Sequence, residues 1–261
     1  MIKGLHSGAT GMEAQQVKLD VISNNLANVN TTGFKKNRAD FQDLIYQTMK
    51  APGTSSADGI ENPTGTQIGS GVRTSDAQKI MLQGDMIVTN NPLDIAITGD
   101  GFFQIQLPSG ELGYSRDGSF HLNSQGVIVN TNGYPLEPNI TIPQDALHVN
   151  IGSDGTVSVI QSGQTQASVV GNIQTASFIN PAGLEAMGKN LYKATSASGD
   201  SIVGTPGENS LGSLEQGFLE SSNVKVVEEM VSLITTQRAY EFNSKSVQTA
   251  DQMLRTTTQL K

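Results

Sequence analysis

His6, His121 and His148 are the side chains best suited to bind a metal or move a proton, and they fall in three separate segments without metal-ligand spacing. The chain has no cysteine, so neither a disulfide framework nor a thiolate metal site is possible. Gly99-Asp100-Gly101 looks like part of a nucleotide-binding loop, but a third glycine, a following helix and a phosphate-binding lysine are missing, so it reads as a hairpin turn. Glu228 and Glu229 are adjacent on a predicted helix and diverge, and no other carboxylates stand out as a glycosidase pair. Serine, histidine and aspartate are present without a nucleophile-elbow context. Tyr240, Phe242 and the methionines near them read as core rather than as a cofactor box. No catalytic, cofactor or metal residue is therefore assigned.

The informative spacing lies in the apolar residues of the two ends. Leu5, Met12, Leu19 and Leu26 recur every seven positions, and Ile22 and Val29 join their stripe. Val226, Leu233, Tyr240, Val247 and Leu254 do the same, widened by Met230, Ile234 and Met253. Such spacing puts side chains on one helix face, which needs an apolar partner. The simplest partner for each end is the other end. The pattern predicts a helix from near Lys3 to about Asn28. A second begins after Ser221-Ser222-Asn223, good capping residues, with Glu228 and Glu229 well placed in its early turns. Gly4, Gly8 and Gly11 each weaken the first helix by about 1 kcal/mol relative to alanine, so it is expected to order only when packed.

Charge is uneven along the chain. Residues 1–40 carry five Lys/Arg against three Asp/Glu, net +2, and residues 224–261 carry five against four, net +1. Residues 41–223 carry six against seventeen, net −11. An acidic middle argues against nucleic acid, which needs a basic footprint, and suits a hydrated outer surface presenting Asp85, Asp94, Asp117 and Asp145. No apolar run is long enough to span a membrane, and the first residues lack a secretory apolar stretch, which by itself predicts a cytoplasmic location.

Val72 to Leu191 reads as strands. Leu93 to Ile97 alternates, Phe102 to Leu107 follows, and turn signals recur at Pro108-Ser109-Gly110, Asp117-Gly118, Ser124-Gln125-Gly126, Asn132-Gly133 and Asp154-Gly155. That spacing predicts an antiparallel sheet or small barrel. Lys50 to Gly71 is Pro, Gly, Ser, Thr and Asn, the composition of a disordered linker. The expected fold is α+β: a discontinuous N- and C-terminal helical coiled-coil domain with an inserted antiparallel β-rich domain and extended linkers. The expected divisions are 1–40 plus 216–261 for the helical core, 41–90 plus 190–215 for a connecting region, and 91–189 for the β-rich outer domain.

Three motifs carry a family resemblance. Ser23-Asn24-Asn25-Leu26-Ala27-Asn28-Val29-Asn30-Thr31-Thr32-Gly33-Phe34-Lys35 resembles the N-terminal signature of bacterial flagellar rod and hook axial proteins. Ile97 to Phe103, with Gly99, Gly101 and Phe102, and Tyr114 to Phe120, with Arg116 and Gly118, resemble that family's central β-domain motifs. Glu228 to Val231, then Gln237-Arg238-Ala239-Tyr240-Glu241 and Ala250 to Leu254, resemble its C-terminal motif. The resemblance spans essentially the whole chain. Within the family it is closest to distal rod members, through Leu214 to Val224 and Tyr46 to Gly69.

The resemblance implies a structural subunit of the distal rod rather than an enzyme. The chain would polymerise with copies of itself into a rigid tube that transmits torque to the hook and encloses an export channel. It implies proximal rod proteins, hook protein, the P and L ring proteins as bushing, a rod cap and the flagellar type III export apparatus as partners. The location would be the basal body across the periplasm, reached without a cleavable signal peptide. It also reverses the reading of 46–69, from linker to ordered inter-subunit arm. A proximal rod subunit of similar length is the alternative within the family, and an envelope polysaccharide-acting enzyme or binding module is the alternative outside it.

Overall fold

A computed structural model describes residues 2–51, 55–57, 60–61, 64–164, 166–208 and 210–259. The chain forms two compact units, each discontinuous in sequence. One comprises 1–26, 37–78 and 225–261, and the other 27–36 and 79–224. The three-part division expected from sequence is drawn differently. Residues 27–36 belong with the β-rich unit and 37–78 with the helices.

The helical unit contains α1 (Ile2–Ala27) and α2 (Val226–Gln259). The two run antiparallel, since Gly8 lies against Val247, Gly11 against Asn243, and the Asn25 side chain reaches Glu229. A Cβ on Gly8 would sit 2.7 Å from the Val247 side chain, and one on Gly11 2.9 Å from that of Asn243. These glycines are therefore places of close approach as well as weak points of the helix. Strands Asn37–Asp43 and Val72–Lys79 pair in the same unit. Strands Tyr46–Lys50 and Thr66–Gly69 form an antiparallel ladder, with Tyr46 opposite Gly69, and the short strands Ser55–Ala57 and Ile60–Glu61 pair beyond it. The composition of 50–71 had pointed to a disordered linker. The described part is instead paired strand, because backbone ladders need no apolar side chains. Residues 52–54, 58–59 and 62–63 of the expected arm lie outside the described residues.

The β-rich unit is antiparallel throughout its described ladders. Its largest sheet runs Glu185–Gly188, Leu191–Lys193, Leu112–Ser115, Phe102–Gln106, Thr175–Ser177, Ile202–Gly204, with Leu136–Glu137 also on Phe102–Gln106. Ala146–Ile151, Thr156–Gln161 and Ser168–Asn172 form a meander, and Phe120–Leu122 pairs with Ile128–Asn130. The core gathers Ile95, Ile97, Phe103, Ile105, Phe120, Ile128, Leu136, Val157 and Leu214. Phe103 and Phe120 meet edge to face at 5.1 Å.

The turn at Gly99-Asp100-Gly101 is not a hairpin. Ile95–Thr98 pairs with Ser213–Gln216, while Phe102–Gln106 pairs in the large sheet. The segment is a corner between two sheets, made possible by positive φ at Gly99 and Gly101. Asp117-Gly118 is a second corner, joining the strand Leu112–Ser115 to the hairpin strand Phe120–Leu122. There a Cβ on Gly118 would fall 1.6 Å from the Ile95 carbonyl oxygen.

Candidate functional site

The predicted packing residues fall into two groups. Ile22 is buried, and Leu5, Met12, Leu19, Leu26, Leu233, Val247 and Leu254 are half-buried. Val29 is half-buried in the turn after α1 has ended at Ala27. Val226, Met230 and Tyr240 are exposed, against the expectation that they face the other terminal helix. The reason is geometric. The edge of α2 that is covered also repeats every seven residues, but through Glu229, Thr236 and Asn243, which are small or polar. The opposing face of α1 is lined by Gly8, Gly11, Ala14 and Asn25. Such a seam is narrow, and it leaves the wider apolar stripe uncovered. That stripe includes Val227, Met230, Val231 and Ile234, and Phe242 is 72% exposed on the same helix.

Asn25 is the polar anchor of this unit. Its side chain exchanges two hydrogen bonds with the Asn37 backbone, donating to Asn37 O at 2.9 Å and accepting from Asn37 N at 2.9 Å. It also donates to Glu229 Oε2 at 3.4 Å. Glu228 turns outward and pairs with Lys225 at 3.3 Å, so the two adjacent glutamates do diverge. Asn24 and Arg238 are exposed, and Asn28 accepts from the Thr31 hydroxyl at 3.2 Å.

The remaining motif residues converge in the β-rich unit. Gly33, with φ at 65°, donates its N–H to Glu220 O at 2.9 Å and has no room for a Cβ beside the Arg116 backbone. Phe34 is half-buried, and its carbonyl accepts from Asn223 N. Arg116 Nη2 donates to Gly99 O at 2.6 Å, and Nη1 donates to Glu220 Oε2 at 3.3 Å. Its guanidinium lies 5.4 Å from the centre of the Phe102 ring, and Phe102 meets Phe178 and Tyr192 edge to face. Glu220 Oε1 accepts from Lys35 Nζ at 2.5 Å and from Gly84 N at 2.9 Å. Sequence reasoning quoted Lys35 and Glu220 within motifs but missed that they meet. No local signal marks them, since Lys35 stands beside Lys36 and Arg38, and Glu220 follows Glu215.

Burial pushes the Lys35 ammonium below its ordinary pKa, an effect that Glu220 opposes and Arg116 reinforces. Burial also lowers Arg116, opposed by Glu220 and Asp100. The Tyr192 phenol is pushed up to about 12, first by burial and then by the Glu220 carboxylate. Two of the acidic residues expected on a hydrated surface are structural instead. Asp94 is buried and accepts from Asn91 at 2.9 Å. Asp117 accepts from Thr32, Ser119 and Asn190.

Among the described residues, no group of three or more acidic or histidine side chains could hold a metal, and no helix is long and apolar enough to cross a membrane. A cavity of about 280 Å³ beside Arg116 is lined by Met81, Asp100, Phe102, Ser177, Phe178 and Ser210.

Comparison with known proteins matches these parts one by one. Residues 5–35 match the flagella basal body rod protein family, 96–159 the flagellar hook protein FlgE/F/G D1 domain, and 215–260 the flagellar basal body rod FlgEFG protein C-terminal family. The flagellar basal-body rod protein FlgG of Buchnera aphidicola (subsp. Schizaphis graminum) is 52% identical over 260 residues, covering 100% of both chains. The chain belongs to the flagellar basal-body rod protein family. The FlgG proteins of Caulobacter vibrioides and Bacillus subtilis are 51% and 41% identical, again over 100% of both chains. As a member of this rod family the chain is a structural subunit of the basal body and not an enzyme. Its functional surfaces are therefore those through which it assembles.

Proposed function

We propose that this rod subunit occupies the distal rod, polymerising with copies of itself into a rigid tubular drive shaft. The shaft transmits torque to the hook and encloses the export channel. One observation carries the reading: α1 and α2 meet along a narrow seam, with Gly8 on Val247, Gly11 on Asn243 and Asn25 on Glu229, while the apolar stripe through Val226, Met230, Ile234 and Tyr240 stays exposed. Burying that stripe against neighbouring subunits would contribute about 25 cal/mol per Å² of apolar surface, repeated at every subunit. In this reading the terminal helices form a coiled-coil inner tube. The β-rich domain, residues 91–189, faces outward within the P and L rings. The arm at 46–69 reaches a neighbouring subunit. Tyr46, Met49 and Ile68 on that arm are exposed apolar side chains that such a contact would cover.

The proposal places the protein across the periplasm, exported unfolded through the flagellar type III apparatus without a cleavable signal peptide. It assembles under a rod cap on the proximal rod, with the hook beyond it. The test is to label an exposed turn of the β-rich unit, at Gly133 or Gly163, and locate it in purified hook–basal bodies by electron microscopy. Label on the rod segment just beneath the hook is expected. Label near the inner membrane would move the subunit to the proximal rod.

A further inference from the structure

We propose that the C-terminal return segment, residues 213–224, closes the β-rich unit, with the Glu220 carboxylate as its closing charge. In this scheme the unit takes up native packing only after that segment has been delivered to it.

Four independent contacts depend on this segment. First, strands Ile95–Thr98 and Met86–Val88 find their ladder partners, among the described residues, in Ser213–Gln216 and Phe218–Glu220. Second, Leu214 completes the core around Ile95, Ile97 and Phe103. Third, Gln216 Nε2 donates to Pro92 O at 2.7 Å and Val149 O at 2.9 Å, while its Oε1 accepts from Ile151 N at 3.2 Å. Fourth, Asn223 accepts from Lys36 N at 2.8 Å and donates to Ile80 O at 2.8 Å and Leu82 O at 3.0 Å. It thereby ties the segments around Lys36 and Ile80 to the end of the unit.

The charges give the closure its sharpness. The side chains of Lys35 and Arg116 are 1% and 3% exposed, and both contact Glu220, itself 1% exposed. Before Glu220 arrives, burying the core would desolvate two cations with no carboxylate bonded to either. Leaving buried charge uncompensated is among the costliest defects a fold can carry. The open unit therefore keeps Lys35 and Arg116 in water, which keeps Phe102 and the Gly33 turn from settling.

A chain made or threaded N-terminus first presents 213–224 after every other part of the β-rich unit, so closure is the last event in that unit. For an exported rod subunit, and here the inference rests on the proposed function, the β-rich unit would stay threadable until residue 224 has passed.

The test is native-state hydrogen exchange on the full-length monomer in increasing sub-denaturing urea. Amides of Ile95–Thr98, Phe102–Gln106 and Ser213–Gln216 are expected to lose protection together, in one opening. If Ser213–Glu220 opens at lower urea while Phe102–Gln106 stays protected, the proposal is overturned. In a second arm, Glu220→Gln is expected to raise the population of that opening about a hundredfold. The pair Lys35→Met with Glu220→Gln should recover part of the loss, because one buried cation is gone. Opening of Glu220→Gln indistinguishable from the parent would overturn the role of the charge. Should Glu220→Gln not fold, exchange in the unmodified chain decides alone. All readouts are on the monomer, so failure of rod placement leaves them unaffected.

Discussion

The Glu220 carboxylate accepts a hydrogen bond from the Lys35 ammonium at 2.5 Å, across 185 positions of sequence, and both side chains are almost wholly out of water. Lys35→Met tests how far the rest of the cluster can carry the site. Glu220 would keep Arg116 and the Gly84 amide, and Leu82 O would keep Asn223. The expected loss is therefore moderate, roughly 1–3 kcal/mol in urea unfolding of the β-rich unit. A loss within error of zero would mean that Lys35 contributes packing only.

The three glycines of α1 should respond differently to alanine. A Cβ on Gly4 meets nothing within 4 Å, so Gly4→Ala should stabilise the helical unit by about 1 kcal/mol. On Gly8 the same methyl group meets Val247 at 2.7 Å, so the helix-propensity gain should be cancelled or reversed. Thermal unfolding followed at 222 nm separates the two. Equal stabilisation by both would contradict close approach at Gly8.

Gly118→Ala should prevent the β-rich unit from folding, because the added carbon would overlap the Ile95 carbonyl at a corner with no slack. Near-UV circular dichroism of the variant is expected to lose its aromatic bands, while the helical signal of α2 persists.

Tyr192 gives a pH signature. Its folded pKa is raised to about 12 from 10.0, so its contribution to stability is complete below pH 10 and is lost as pH rises from there through 12. Lys35, whose pKa is lowered, acts with the opposite sign as pH approaches 10.5. Tyrosinate absorbance isolates the first effect. A titration step near 12 is expected, and Tyr192→Phe should abolish it.

Replacing Ile234 or Met230 by Asp should leave the monomer's spectrum and stability within about 0.5 kcal/mol of the parent, since both are exposed. Rod assembly and motility should nevertheless be lost. Normal motility would remove the stripe from the assembly surface.

Periodicity made the two helices legible, with both ends of α1 and the start of α2 within a few residues of expectation. It failed to say which face of α2 meets α1. A seven-residue repeat groups side chains on one face without naming what covers them, and the covered edge is built of Glu229, Thr236 and Asn243, residues a hydrophobic pattern scores as solvent. The turn at Gly99-Asp100-Gly101 was legible as a turn but not as a corner, because strand partnership is settled by Ser213–Gln216, more than a hundred residues away. The ion cluster was invisible for the same reason. Ligand-like spacing is a local signal, and Lys35, Arg116 and Glu220 come from three remote segments that only the sheets bring together.

Antiparallel pairing at Gly8 with Val247 and at Asn25 with Glu229 has an architectural corollary. The chain leaves α1 and re-enters α2 at the same end of the helix pair, so the β-rich cassette, 27–36 plus 79–224, joins the helices in sequence at two adjacent clips. A cassette so mounted can be lengthened, shortened or exchanged in evolution, or in the laboratory, while the clips stay as they are.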